Sequence, residues 1–502
     1  MKKNIIFMMA LACFGAKAQN IDDVLRYSKD NTQGTARFQA MSGAFGALGG
    51  DLSSLNINPA GSAVFNNSQF TLTGTNYNVK NESNYGAFVS PFTTDNTFDI
   101  NQIGGVFVFK NNNQNADWKK ISLGLNFDRV QNFSNYKSSN FRTENGLDTY
   151  FLSFAQGTPL GPLLLQNGEY IEEAYLDIGS SLGFIEQQAF LGLFGGVIDA
   201  DDPNDDNNTS YSSLANYTTV SQNYRKITTG YNDKYTLNVA SQYQDNLYIG
   251  ASLNVHSIYY EELKEITEDS YLADSQVQFT TFDNLLKTQG NAFSFSLGAI
   301  AKVNNSLRIG GSYQSPTWYR LEDDFSQRIN STLADVDINF INFNVINLYP
   351  RYTIKTPGKL TGSMALVFGT EGLISLDYSY QDMSQAELKP VSDANFAAEN
   401  EYMRAQLGAV SAIRLGGEYR IKQISLRGGY RYEQSPYLNN TIGDLNGVSG
   451  GIGYNFGPSK LDLAVNGYSQ NYRENVLSTD PTPALNNTRR NTNVTISYTL
   501  NF

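Results

Sequence analysis

Histidine and cysteine are almost missing from this 502-residue sequence: His256 and Cys13 are the only examples of each. With Cys13 inside an expected N-terminal signal segment, the single imidazole has no thiol partner, and there is no recognisable Ser-His-Asp set and no cluster to hold zinc, copper or haem. No catalytic residue, metal or cofactor is expected, and no internal disulfide can form. Charge is sparse as well. Asp, Glu, Lys and Arg make up 17%, and the net charge of −12 disfavours a nucleic-acid partner. Beyond the N-terminus no run reaches about 20 apolar residues, which excludes a transmembrane helix.

What is present begins with "MKKNIIFMMALACFGAKAQN". Lys2 and Lys3, an apolar run from Ile5 to Phe14, and small residues at Ala16 and Ala18 are the layout of a secretory signal covering residues 1–18. Cys13 raises a lipoprotein reading, which Ala10 opposes by standing where a lipobox prefers Leu. The rest of the chain alternates with period two. In the closing "TNVTISYTLNF", Val494, Ile496, Tyr498, Leu500 and Phe502 share one face, and Asn493, Thr495, Ser497, Thr499 and Asn501 share the other. Runs of this kind start near Ser68, Phe98, Lys119, Tyr231, Leu247, Asn291, Ser306, Gly358, Gly372, Ser411, Ile424, Gly447, Lys460 and Asn491.

Short turns such as Gln244-Asp245-Asn246, Asn304-Asn305 and Gly457-Pro458-Ser459 join many of these runs. The opposite ends carry long polar excursions, expected as loops over 132–230, 261–290, 320–355, 384–408 and 471–490. Short turns at one end and long loops at the other predict an all-β fold: a 14-stranded antiparallel transmembrane β-barrel in the outer membrane, spanning residues 68–502. A soluble β-sandwich is the alternative. It would have to expose many of the 32 Tyr and 30 Phe to water, where a barrel would place them in interfacial girdles. The stretches 81–97 and 141–154 fit no assignment cleanly.

Within 132–230, "IEEAYLDIGSSLGFIEQQAFLGLF" has helical spacing through Ile171, Ala174, Tyr175 and Ile178, so one or two short helices are expected there. Leu163, Leu164, Leu165, Phe184, Phe190 and Phe194 would form either a ligand-capture groove or a surface packed against a partner. The acidic run "DADDPNDDNN" that follows reads as a solvated tip or a calcium site. With Ile424, Leu426, Tyr430 and Tyr432 facing lipid, Arg427 and Arg431 face the lumen. Arg414, Asp377 and Asp128 occupy equivalent positions, as a stiffening ion-pair network or as contacts to a ligand carboxylate.

Ahead of the first strand stands "ARFQAMSGAFGALGGDLSSLNINPAG", glycine-rich and ending in Asn58, Pro59, Ala60 and Gly61. Together with "SLRIGGSYQSP" and "TIKTPGKLTGSMALVFG", it makes the chain resemble the FadL/TodX family of outer-membrane transporters, in a Bacteroidota-type version. The resemblance implies that residues 19–67 fold inside the barrel as a hatch. Phe45, Leu48, Gly49, Gly50, Leu52, Leu55, Asn58, Pro59, Ala60 and Gly61 would be its working residues. It further implies uptake of hydrophobic compounds such as long-chain fatty acids, captured by the loops, passed by the hatch and released through an opening in the wall. Some similar barrels instead serve as accessory subunits of secretion or barrel-assembly machines. The expected partners are therefore outer-membrane lipid, a fatty acid or other hydrophobic ligand, or such machinery subunits.

Overall fold

The computed structural model describes residues 19–29, 31–113, 115–477 and 482–502. The expected signal segment 1–18, with Cys13, lies outside the described residues. Fourteen antiparallel strands close into one barrel. They are β1 (Gln69–Tyr85), β2 (Thr93–Lys110), β3 (Trp118–Asn132), β4 (Val220–Tyr243), β5 (Leu247–Asp269), β6 (Thr280–Lys302) and β7 (Leu307–Gln314). The second half comprises β8 (Lys359–Phe368), β9 (Gly372–Asp382), β10 (Ala409–Ile421), β11 (Ile424–Glu433), β12 (Leu445–Asn455), β13 (Ser459–Asn475) and β14 (Ala484–Asn501). Closure is the pairing of β1 with β14, from Gln69 opposite Asn501 to Asn84 opposite Asn486.

The alternation of the sequence sets which face meets lipid. On β5, Ile249, Leu253 and Val255 point outward, while Ser252, Asn254 and His256 are buried in the lumen. Aromatic rings border this apolar band: Trp118 lies 5.1 Å from Tyr243 at the short-turn end, and Tyr231 lies 6.3 Å from Tyr259 above. Among the described residues no helix is long and apolar enough to cross a membrane. The strands themselves make the crossing.

The wall is uneven in height. β4, β5 and β6 run for 24, 23 and 23 residues, whereas β8 and β11 have 10 each. At roughly 3.3 Å per residue, the long strands continue far above the apolar band. Asn135–Thr143 extends β3 alongside β4, and Trp318–Ser331 continues the pairing with upper β6 after Ser315-Pro316-Thr317 interrupts β7. Much of what the polar excursions predicted as loop is therefore strand. Above the membrane both faces can be polar, so the apolar period that betrays a strand disappears. Cross-strand charges decorate that outer face instead, such as Arg328–Asp283 at 2.6 Å and Lys287–Glu261 at 3.8 Å.

Three helices cap the tall side from within: α3 (Leu147–Ala155), α4 (Ile171–Ser181) and α5 (Phe184–Phe194), numbered after α1 and α2 of the N-terminal segment. The expected helical face of α4 is the buried one. The unassigned stretch 141–154 divides into a strand end and α3, while 81–97 divides into the top of β1, a two-residue strand at Phe88–Val89 and the start of β2. Phe151, Tyr175 and Phe190 pack on the inner face of the tall wall, against Tyr224, Phe282 and Ile329.

Candidate functional site

The described residues of 19–67 lie inside the lumen. Helices α1 (Ile21–Ser28) and α2 (Ala36–Ala40) are followed by two 3-10 turns, Leu52–Asn56 and Pro59–Val64. Asn58 anchors the second turn: its Oδ1 accepts the Ala60 N–H at 3.1 Å. Its Nδ2 donates to the carbonyls of Gly46 at 2.8 Å and Ala299 at 3.0 Å, which ties the turn both to the segment and to the wall. Gly49 and Gly50 have φ of +59° and +65°, and a Cβ on Gly49 would stand 2.9 Å from the Gly61 Cα. The wall offers glycines in return. A Cβ on Gly310 would lie 2.3 Å from the Gly46 carbonyl oxygen, and one on Gly416 would lie 2.6 Å from that of Met41. The hatch backbone rests directly on the wall backbone at these points.

The expected hatch residues form the plug's own core. Phe45 and Leu48 pack with Phe38, Met41 and Leu373, Leu52 and Leu55 with Phe65 and Val106, and Ala60 with Ala240, Tyr248 and Ile300. Pro59 opens its turn at the first position, where its missing N–H costs nothing, and Gly61 accepts the Gly50 N–H at 3.1 Å. None of the ten lines the cavity that lies above the plug.

The lumen charges fasten the plug. Asp377 accepts the N–H groups of Phe45 at 2.9 Å and Gly46 at 3.0 Å, with Arg414 directly opposite on β10. Glu418 joins Arg37 of α2 (2.8 Å) to Arg427 (2.6 Å), which reaches Asp462 at 2.6 Å. Arg431 pairs with Glu433 at 2.6 Å and donates to the Thr32 hydroxyl at 2.7 Å. Asp128 accepts from Gln102 and Asn126 and lies 3.9 Å from Lys234, whose Nζ donates to Asn56 at 2.6 Å. These contacts run within the wall and between the wall and the hatch.

Above the plug lies a cavity of about 310 Å³. Its sides are α1, the link through Lys29, Asn31 and Gln33, and inward residues of the wall including Tyr77, Val79, Phe133, Tyr260 and Arg489. Sequence patterning could not find this chamber, because it is assembled from the N-terminal link and six or more distant strands. The six apolar candidates on the 132–230 excursion do not border it. Leu163 and Phe190 are fully buried in the cap, where Leu164, Phe184 and Phe194 pack beside them, and Leu165 is 37% exposed. Among the described residues no group of three or more His, Cys, Asp or Glu is arranged for a metal, the acidic run at 199–208 included. His256 Nδ1 sits 2.9 Å from Asn232 Oδ1, beside the Tyr319 ring.

The cavity backs onto a break in the wall. The β2–β3 ladder runs from Lys110 opposite Lys120 to Gln102 opposite Asp128 and stops there. Above it β2 stays paired with β1 as far as Thr93, past a bulge at Asn101, whereas β3 follows β4. Side chains span the gap. Asp99 accepts from Arg129 at 2.7 Å and also from Asn132, and Arg129 is held from the other side by Asp233 at 2.8 Å. Gln131, Asn132, Phe133, Ser134 and Asn135 border both break and cavity, and Phe98 and Ile100 face lipid beside it.

No protein-family model and no curated protein matches the chain. Solved structures do. A FadL homologue from Pseudomonas aeruginosa superposes with a TM-score of 0.54 at 12% identity, over 94% of this chain and 99% of its own. The toluene transporters TbuX of Ralstonia pickettii and TodX of Pseudomonas putida each give 0.46, at 14% and 13% identity, over 94% and 95% of this chain and 99% and 100% of theirs. At such identity the likeness is one of fold. The chain is an outer-membrane β-barrel with the fold of the Pseudomonas aeruginosa FadL homologue.

Proposed function

We propose that the barrel takes up hydrophobic compounds, long-chain fatty acids among them, through the outer membrane. The observation that carries this reading is the position of the cavity, closed below by a hydrogen-bonded plug and bordered by the break between β2 and β3. A ligand entering from the outer mouth would rest against α1 and leave sideways into the outer leaflet. Such a route keeps its tail out of water throughout. No chemical step is part of the reading. The Bacteroidota-type assignment rests on the Asn- and Tyr-rich composition. Vesicles carrying the purified protein should accumulate a fluorescent long-chain fatty acid faster than protein-free vesicles. Equal rates would end the uptake reading.

A second reading has its own support. The loop before β8 exposes Val336 by 86%, Leu348 by 75% and Phe340 by 58%, an apolar surface suited to a partner protein. An accessory barrel of a secretion or assembly machine would present such a surface above a sealed lumen. Gentle isolation from the native membrane, followed by identification of bound lipid and co-purifying protein, separates the two. A stoichiometric large partner without bound lipid favours the accessory role.

A further inference from the structure

The short-turn end of the barrel, which faces the periplasm, gathers cations that no carboxylate matches. Lys110, Lys120, Lys302, Arg308 and Lys460 stand at or beside the strand ends there, on inward-facing positions of β2, β3, β6, β7 and β13. None of them forms an ion pair with any described residue. What they touch is neutral. Lys120 Nζ donates to the Phe65 carbonyl at 2.6 Å, Lys110 Nζ to Asn67 Oδ1 at 3.5 Å, and Arg308 to the Leu48 carbonyl at 3.0 Å. Lys120 and Lys302 share the Tyr248 ring, 5.9 and 5.1 Å from its centroid. Lys110 lies directly opposite Lys120 in the β2–β3 ladder, a placement in which like charges repel. The inward carboxylates nearby, Glu418 and Asp462, are taken by Arg37, Arg420 and Arg427. Asp117, Asp245 and Glu371 stand exposed in the turns. In a chain of net charge −12, this mouth runs against the composition.

We propose that this mouth docks an acidic segment of a periplasmic protein, whose carboxylates reach Lys110 and Lys302 while Lys120, Arg308 and Lys460 add to the attraction. The proposal goes beyond the uptake reading and holds with or without it. Side-chain direction selects the occupant. Cations on the inward face turn away from the lipid around the wall, so whatever meets them enters the mouth from the periplasm. Lys110 is exposed and Lys302 half-buried, which leaves both within reach of water and of a partner. A mouth lined by one sign of charge concentrates the opposite sign and speeds encounter. The cations are spread along a rim, and an extended chain suits that spread: its side chains recur on one face about every 6.6 Å.

The test is fluorescence anisotropy with the purified protein in phosphatidylcholine nanodiscs, which leave both ends of the barrel open. The probes are labelled alternating Glu-Gly and Gln-Gly peptides, each with an extended reach of about 40 Å. At low ionic strength, wild type should bind the Glu-Gly peptide at least about five-fold more tightly than the Gln-Gly peptide, and added salt should erase the margin. K110Q/K302Q should lose the margin with heat-modifiable mobility intact, and K110R/K302R should keep it. K80Q/R490Q changes two facing cations toward the loop end and should leave the margin unaltered. Equal binding of the two peptides by wild type, or a full margin in K110Q/K302Q, overturns the proposal. So does an equal loss in K80Q/R490Q, which would mark a diffuse attraction. In nanodiscs containing phosphatidylglycerol, a margin that persists supports the protein partner. A margin that vanishes assigns the cations to lipid headgroups and overturns it.

Discussion

Asn58 shows how one side chain can carry a measurable signature. N58A removes the cap on Ala60 and the ties to Gly46 and Ala299, which should weaken the hatch locally by roughly 2–3 kcal/mol. Faster amide exchange over residues 45–65, with heat-modifiable mobility of the barrel unchanged, is the expected result. The Asn-Pro-Ala-Gly run announced a turn in the sequence. That the same amide also reaches the β6 carbonyl of Ala299 could not be read there, because 241 residues separate the partners.

Elements were legible in proportion to how one-sided their surroundings are. All fourteen wall strands alternate because lipid lies outside and a polar lumen inside, and each left its period in the sequence. The upper halves of β4, β5 and β6 left none, since water bathes their outer face. The break between β2 and β3 is likewise invisible to patterning: it follows from which neighbour each strand keeps. Asp99 is the clasp of that break. D99N should leave Arg129 with Asp233 alone and speed transfer of a bound fluorescent fatty acid to acceptor vesicles by a few-fold, as expected for a partly exposed pair worth about 1 kcal/mol. Stopped-flow transfer measures it, and an unchanged rate would argue against release at this point. The hatch seat is testable at the same scale. In G310A the added methyl meets a backbone carbonyl at 2.3 Å, so the plug must shift. Barrel mobility should persist while residues 34–65 become open to protease.

Across the whole molecule, the barrel and the cap are separable by their supports. The wall closes through β1 and β14 without any contribution from 146–214, whereas α3, α4 and α5 depend on the inner face of the tall strands. Replacing residues 146–214 by a short Gly-Ser linker should leave a heat-modifiable barrel in membranes, with loss of amide protection confined to the upper parts of β4 to β6. Failure of the barrel to form would show that the cap is needed for closure. The sequence by itself determined the strand count, the lipid-facing register and the short-turn end, because each rests on local period or on turn chemistry, whereas the plug was implied only by the family resemblance. Only the tertiary structure decided that the apolar residues of the large excursion build a cap, that the lumen arginines hold the hatch, and that a cavity stands above the plug beside a break in the wall. Those outcomes depend on which distant side chains closure of the barrel brings face to face, and no local pattern encodes that.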